Sequence, residues 1–270
     1  MATAEAKQNN GVLPGEGVLP APDDKHRYVR EMFDAIAPTY DRLNSVLSGP
    51  LHHYWRRVAT AQAALKPGNR ALDVCTGTGD FALELAKVVG ETGHIDATDF
   101  SAPMLQIGEQ KARNKNRANT AWAIADTQEL PFADNGFDAV TVGFGIRNVS
   151  DVPRGIREMA RVAKPGGRVV ILEFGQPTNK TFDRVYRWYS KHVMPRIGGL
   201  VSGRKSAYEY LPESVAAFYT REQIAAFMRE AGLSNVSVTN LTFGTVVIHC
   251  GTKSAPDVLQ NEVLESEATS

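Results

Sequence analysis

Ala71-Leu72-Asp73-Val74-Cys75-Thr76-Gly77-Thr78-Gly79-Asp80 is the stretch from which the fold is read. It begins as an apolar run with an acid, turns through two glycines, and continues into a helical pattern with Phe81, Leu85 and Val88 or Val89 on one face. Strand, glycine-rich turn and helix in that order bring backbone close to a nucleotide-like ligand. Glycine serves there because a Cβ would block the approach or forbid the dihedrals.

Gly77-x-Gly79-x-x-Ala82 fits the dinucleotide fingerprint in its Ala-ended form, and Asp99 follows about 20 residues on, the spacing of a ribose-binding carboxylate. Three readings are open at this point: a nicotinamide dinucleotide, S-adenosylmethionine (SAM), or a tight turn with no ligand. The rest of the chain has to decide.

Outward from this stretch the alternation is regular. Strands are expected at 70–74, 94–99, 120–125, 137–142 and 168–174. Between them lie helices with start signals: Ser101 with Pro103 in the first turn, and Asp151 with Pro153. Strands alternating with helices imply a parallel sheet with right-handed crossovers. After Phe174 the alternation stops. Residues 176–219 form an aromatic insertion with helical stripes through Phe182, Tyr186, Tyr189 and Val193 and through Val185, Trp188 and His192. The insertion reads either as a helix packed on the core or as the wall of a pocket for a large apolar substrate. Thr220-x-x-Gln223 is a capping box whose helix stops at Gly232. Two closing strands, 236–241 and 245–250, are separated by a short link containing Gly244 and make a hairpin.

Upstream, Val29, Met32, Phe33 and Ile36 mark a helix that Pro38 is expected to end. A second helical stretch passes through Trp55 and Val58. These helices either cap the ligand mouth or pack on the outer face of the sheet. Residues 1–24 and the tail from 254 are read as disordered, leaving 25–253 as one domain with a helical cap at 25–65.

The 270 residues are 43% hydrophobic, enough for a sizeable core, and 30 basic residues balance 30 acidic ones, so no global charge points to nucleic acid. Two distant cysteines, Cys75 and Cys250, argue against a disulfide framework or a metal site and for a reducing compartment. No run has the length of a membrane span and the N-terminus lacks the layout of a signal peptide, so a cytoplasmic location is expected.

A parallel sheet closed by an antiparallel hairpin resembles the α/β, Rossmann-like sheet of class I SAM-dependent methyltransferases. Four stretches are similar to that superfamily's motifs: Leu72 to Asp80, Asp99, Ala125 to Phe132, and Lys164-Pro165-Gly166-Gly167. Three more are narrower: Phe33-Asp34-x-Ile36-Ala37-Pro38-x-Tyr40-Asp41-x-Leu43-Asn44, Gly143-Phe144-Gly145-Ile146-Arg147-Asn148-Val149, and His192-Val193-x-Pro195-Arg196-Ile197-Gly198. Together they resemble the UbiE/MenG family of menaquinone and ubiquinone C-methyltransferases, over roughly residues 27–252. The resemblance implies SAM as cofactor, held by Gly77, Thr78, Gly79, Asp99, Asp126, Thr127 and Gly143, the last of these a departure from the serine common in the family. It implies a polyprenylated quinol as acceptor, demethylmenaquinol ahead of the ubiquinone precursor.

A quinol carbon becomes nucleophilic when a neighbouring hydroxyl loses its proton, so the site needs alignment and a group to stabilise the phenolate. Arg147 and Asn148 follow strand four, at the edge where open α/β sheets bind ligands. Arginine stays protonated and cannot be a base alone, so Arg147 either stabilises the phenolate or orients a water, with Asn148 holding it. Alternatively, both tie down their loop through backbone carbonyls. Tyr40 either presents its ring to the sulfonium or closes the lid, and His192 is a candidate base that ranks behind Arg147 as a catalytic residue. Lys180 to Lys205 holds seven basic residues and one acid, Asp183, beside aromatic side chains, which suits peripheral contact with an anionic membrane. A homo-oligomer or a quinone-synthesis complex is a further expected partner.

Overall fold

The computed structural model describes residues 20, 24–179, 184, 188–189 and 206–255. The expected disordered ends, most of the aromatic insertion, His192 and most of the basic segment lie outside these residues. The helices are α1 (Lys25–Ile36), α2 (Tyr40–Ser48), α3 (Leu51–Gln62), α4 (Asp80–Val89), α5 (Ala102–Asn114), α6 (Val152–Val162), α7 (Ser206–Ala216) and α8 (Arg221–Glu230). The strands are β1 (Arg70–Val74), β2 (His94–Asp99), β3 (Thr120–Ile124), β4 (Phe137–Gly143), β5 (Ala163–Phe174), β6 (Leu233–Leu241) and β7 (Val246–Lys253).

They form one seven-stranded sheet in the order β3-β2-β1-β4-β5-β7-β6. Only β7 runs against its neighbours. β1, β4 and β5 read as near-continuous Val, Ile, Leu and Ala because helices cover both of their faces. On one face α3 and α4 bury Trp55, Ala59, Phe81 and Leu85 against Val170, Leu172 and Ile248. On the other, α6 and α8 bury Ile156, Met159, Ile224 and Met228 against Val140, Val142 and Ile171. The start signals act as read. Ser101 accepts from the Met104 N–H, Asp151 from the Arg154 N–H, and Thr220 with Gln223 forms the reciprocal box.

Pro38 does not end the helical path. It sits in a one-turn 3₁₀ segment, Ala37–Thr39, that leads directly into α2. In a first turn the missing N–H has no intrahelical partner to lose, so the proline redirects the chain instead of stopping it. The helices flanking this bend and the one after them pack in different places. α3 packs on the sheet, while α1 and α2 lie over the mouth: Lys25 Nζ donates to the carbonyls of Arg147 and Val149 at 2.9 and 2.8 Å, and the Ser101 hydroxyl donates to Asp34 at 2.5 Å.

The chain leaves β1 toward β2 and β3, then returns to β4 on the other side of β1. The crevice between the ends of β1 and β4 is therefore the topological switch point, where ligands of open α/β sheets bind.

Candidate active site

The glycine turn is braced from below by Asp73, which is fully buried and accepts the hydroxyls of Thr76 and Thr141, both at 2.6 Å. Burial pushes its carboxyl up to about 6, against the pull of these two hydroxyls. Gly79 is the left-handed residue that opens α4, at φ 78°, and a Cβ there would lie 2.2 Å from the Trp122 ring. Both the dihedral and the space demand glycine.

Asp99, at the end of β2, faces this turn. Its Oδ2 accepts the Gly77 N–H at 2.8 Å and its Oδ1 accepts the Ser101 N–H at 2.9 Å. Burial pushes the carboxyl up to about 6, although the N–H groups of Ser101, Gly77 and Phe100 pull it down. A carboxylate has about four acceptor sites, so these N–H groups leave capacity for a hydroxyl of a ligand.

Above the turn, Thr78 does not stand alone. Its hydroxyl donates to Asp41 of α2 at 2.6 Å, and Lys111 of α5 bonds Asp41 at 2.9 Å and also pairs with Asp80. Arg56 of α3 approaches Asp80 at 3.4 Å. Burial opposes ionisation of Asp80, but Arg56 and Lys111 outweigh it and hold the carboxyl below its ordinary range. Arg56 Nη1 is buried and its charge is matched by Asp80 without a closer hydrogen bond, so Arg56 stands on the crevice wall as one half of an ion pair.

On the other side of the crevice β4 ends in Gly143. A Cβ there would sit 2.9 Å from Phe81 Cδ1, so the ring of Phe81 takes the space a serine side chain would need. The turn 146–148 follows, with Arg147 and Asn148 both buried. Arg147 Nη1 donates to Glu173 Oε1 at 2.8 Å and to the Phe144 carbonyl at 2.5 Å, and its guanidinium lies 5.5 Å from the centre of the Phe174 ring. Arg147 Nε is buried and unpartnered. Asn148 Oδ1 accepts the Tyr210 hydroxyl of α7 at 3.1 Å, which turns the amide NH₂ the other way.

One cavity gathers Tyr40, Gly77, Thr78, Asp99, Gly143 and Asn148 on its wall. Tyr40 comes from the cap, beside Phe33 at 6.1 Å between ring centres, and burial raises its phenol, which stays a neutral donor. Gly79, Asp126, Thr127 and Arg147 stand outside that wall. Asp126 accepts the Gln128 N–H at 2.8 Å, and the Thr127 hydroxyl lies 3.2 Å from Cys75 Sγ. Arg147 bonds the Phe144 carbonyl and Glu173, and Glu173 lines a second cavity with His249. Sequence reasoning overlooked Lys25, Arg56, Tyr210 and Glu173. Only Glu173 carried a signal: an acid within the apolar run Val169-Val170-Ile171-Leu172-Glu173-Phe174. Among the described residues no group of three or more His, Cys, Asp or Glu is placed to hold a metal ion, and no helix is long and apolar enough to cross a membrane.

The sheet order, the glycine turn and the acid ending β2 are those of a class I methyltransferase fold. A solved SAM-dependent methyltransferase from Aquifex aeolicus aligns with this chain at a TM-score of 0.53 and 19% identity, over 86% of this chain and 97% of its own. At the level of family, residues 22–253 match the ubiE/COQ5 methyltransferase family, and the chain belongs to it. It is 44% identical over 225 residues to the ubiquinone/menaquinone biosynthesis C-methyltransferase UbiE of Bdellovibrio bacteriovorus, covering 83% of this chain and 95% of that protein. It is 41% identical over 235 residues to the demethylmenaquinone methyltransferase of Halalkalibacterium halodurans, covering 87% and 96%.

Proposed function

We propose that this methyltransferase transfers a methyl group from SAM to a ring carbon of a polyprenylated quinol in respiratory quinone biosynthesis, with demethylmenaquinol as the acceptor. The observation that carries the reading is the crevice at the switch point. Gly77, Thr78 and Asp99 share its wall with Gly143 and Asn148, in a chain that is a relative of named quinone C-methyltransferases.

The residues suit SAM. Asp99 has acceptor capacity left for the ribose hydroxyls, and Arg56, on the same wall, puts positive charge near the carboxylate end. Thr78, Gly77 and Gly79 line or shape the turn beneath, and Asp126 and Thr127, which follow β3, would hold the adenine. Bound SAM supplies an electrophilic methyl on a sulfonium. The chain's own part is to orient the acceptor, exclude water through α1 and α2, and stabilise the oxygen that loses its proton. In this reading Arg147 gives that oxygen its Nε–H, which has no acceptor in the structure, and Asn148 gives an amide NH₂ fixed by Tyr210. Mixing the purified protein with labelled SAM and each demethylquinol under reducing conditions should give labelled menaquinol. Label in the benzoquinol alone would replace the acceptor, and label in neither would end the reading.

Access to a lipid-dissolved acceptor is supported by the basic segment Lys180 to Lys205, at the cytoplasmic membrane face. Its net charge of +6 is at odds with a chain that is neutral overall, and Trp188 within it is 60% exposed. Each basic residue near an anionic surface contributes about 1 kcal/mol, reduced by salt. In liposome flotation, binding should require anionic lipid, weaken at high salt and drop when Arg184, Arg187 and Lys191 become Gln. Equal recovery with neutral and anionic liposomes would exclude electrostatic docking.

A further inference from the structure

Glu173 ends an apolar strand, is only 2% exposed and spends both oxygens on one neighbourhood. Oε1 accepts Arg147 Nη1 and the Phe174 N–H, both at 2.8 Å, and Oε2 accepts the Arg147 N–H at 3.3 Å. The carboxylate therefore grips Arg147 at its backbone and at its side chain. With the Phe144 carbonyl it occupies Nη1, while Nε has no acceptor. A planar guanidinium held at one nitrogen and stacked near Phe174 has its remaining edge fixed in direction. A carboxylate buried at this depth needs a partner, and a bare guanidinium would need one as much.

We propose that Glu173 is the positioning residue of the acceptor site, aiming the Nε edge of Arg147 and cancelling its charge so that the acceptor hydroxyl loses its proton only at elevated pH. The proposal rests on the reading of Arg147 given above.

The charge argument depends on what else faces this pair. From α1 come Lys25, which bonds the Arg147 carbonyl, and Tyr28; from α2, Tyr40; from α7, Tyr210. Across the second cavity stand His249 of β7 with Arg221 and Glu222 of α8. Burial raises the phenols of Tyr28, Tyr40 and Tyr210, so they stay neutral, and burial pushes His249 down to about 4, so it is neutral as well. Arg221 and Glu222 are neighbours of opposite sign. Burial, helped by Arg147, lowers Lys25 from its ordinary value. Arg147 and Glu173 thus form a neutral pair, and removing the carboxylate leaves an uncompensated cation beside the acceptor. A cation within about 4–6 Å of a hydroxyl favours its ionised form by about one pH unit or more.

The test is the pH dependence of kcat with labelled SAM and a short-chain demethylnaphthoquinol kept reduced. In Glu173→Gln the rising limb should move about one unit or more to lower pH, the plateau should fall at least tenfold, and SAM affinity should stay within threefold of wild type. Loss of packing alone would lower the plateau without moving the limb, so an unmoved limb overturns the proposal. Glu173→Asp keeps the charge but withdraws it, so its limb should stay in place with a reduced plateau. This variant carries the test if Glu173→Gln does not fold, and a wild-type plateau in it would overturn the positioning role. Arg147→Lys is measured alongside. Wild-type turnover there removes the reading of Arg147 on which the proposal rests. Lost turnover there, with an unmoved limb in Glu173→Gln, removes the role of Glu173 alone.

Discussion

Replacing Arg147 by Lys should lower kcat by about 10²- to 10³-fold, the range for removing one preorganised donor from a developing oxyanion. SAM affinity should change little, because Arg147 is not on the wall of the cavity that holds Asp99. Lysine keeps the charge but not the planar fork. It cannot hold Glu173 and the Phe144 carbonyl with one nitrogen while presenting a second N–H on a fixed edge. Rapid-quench turnover and calorimetric SAM binding on the same preparation separate the two effects. Arg147 also braces its own loop, as the bond to Phe144 demonstrates. A variant with wild-type turnover would reduce the residue to that brace.

The second large effect is expected at Asp99. Asp99→Ala should weaken SAM binding by about 1–3 kcal/mol, the scale for lost hydrogen bonds to a charged group, or roughly 5- to 150-fold. The wild-type protein should also have a distinctive pH dependence. Burial puts the Asp99 carboxyl at about 6 in the ligand-free site. Ribose hydroxyls donate to the ionised form, so bound SAM favours the carboxylate and competes with its proton. Affinity should be flat above pH 6 and fall about tenfold per unit below it, as expected for a single linked proton. Stability runs the other way. A folded value raised above the unfolded one means the native state holds its proton more tightly. The contribution of Asp99 to stability is therefore largest below about pH 4 and declines as pH rises to about 6. Asp73 is also raised to about 6 and adds to this decline, but it bonds Thr76 and Thr141 and is fully buried, beneath the turn. Asp99→Asn keeps one acceptor oxygen and should remove the pH dependence of SAM binding. A wild-type slope in that variant would assign the proton elsewhere, and unchanged affinity in folded Asp99→Ala would remove Asp99 from the site.

The sequence by itself determined the sheet. β1 and β4 are apolar runs entered from turns that hold Gly68 and Gly136, and Ser101, Asp151 and Thr220 cap α5, α6 and α8. Those are local properties, set by side chains within a few residues of the backbone they serve. The glycine turn and Asp99 were legible for the same reason, since a fixed spacing along a strand, turn and helix fixes a spacing in space. Tertiary structure alone decided the partners. Asp41 meets Thr78 across 37 residues, Tyr210 meets Asn148 across 62, and Lys25 meets the Arg147 carbonyl across 122. No periodicity encodes such pairs, because a hydrogen bond over that separation depends on how whole elements dock. Pro38 makes the same point in reverse. Its local rule says stop, but packing of α1 and α2 over the mouth turned it into a bend, and that bend carries Tyr40 and Asp41 to the glycine turn. Glu173 stands between the two cases. Its sequence marks it as an acid in an apolar strand, and only the fold supplies the arginine that lets it stay there.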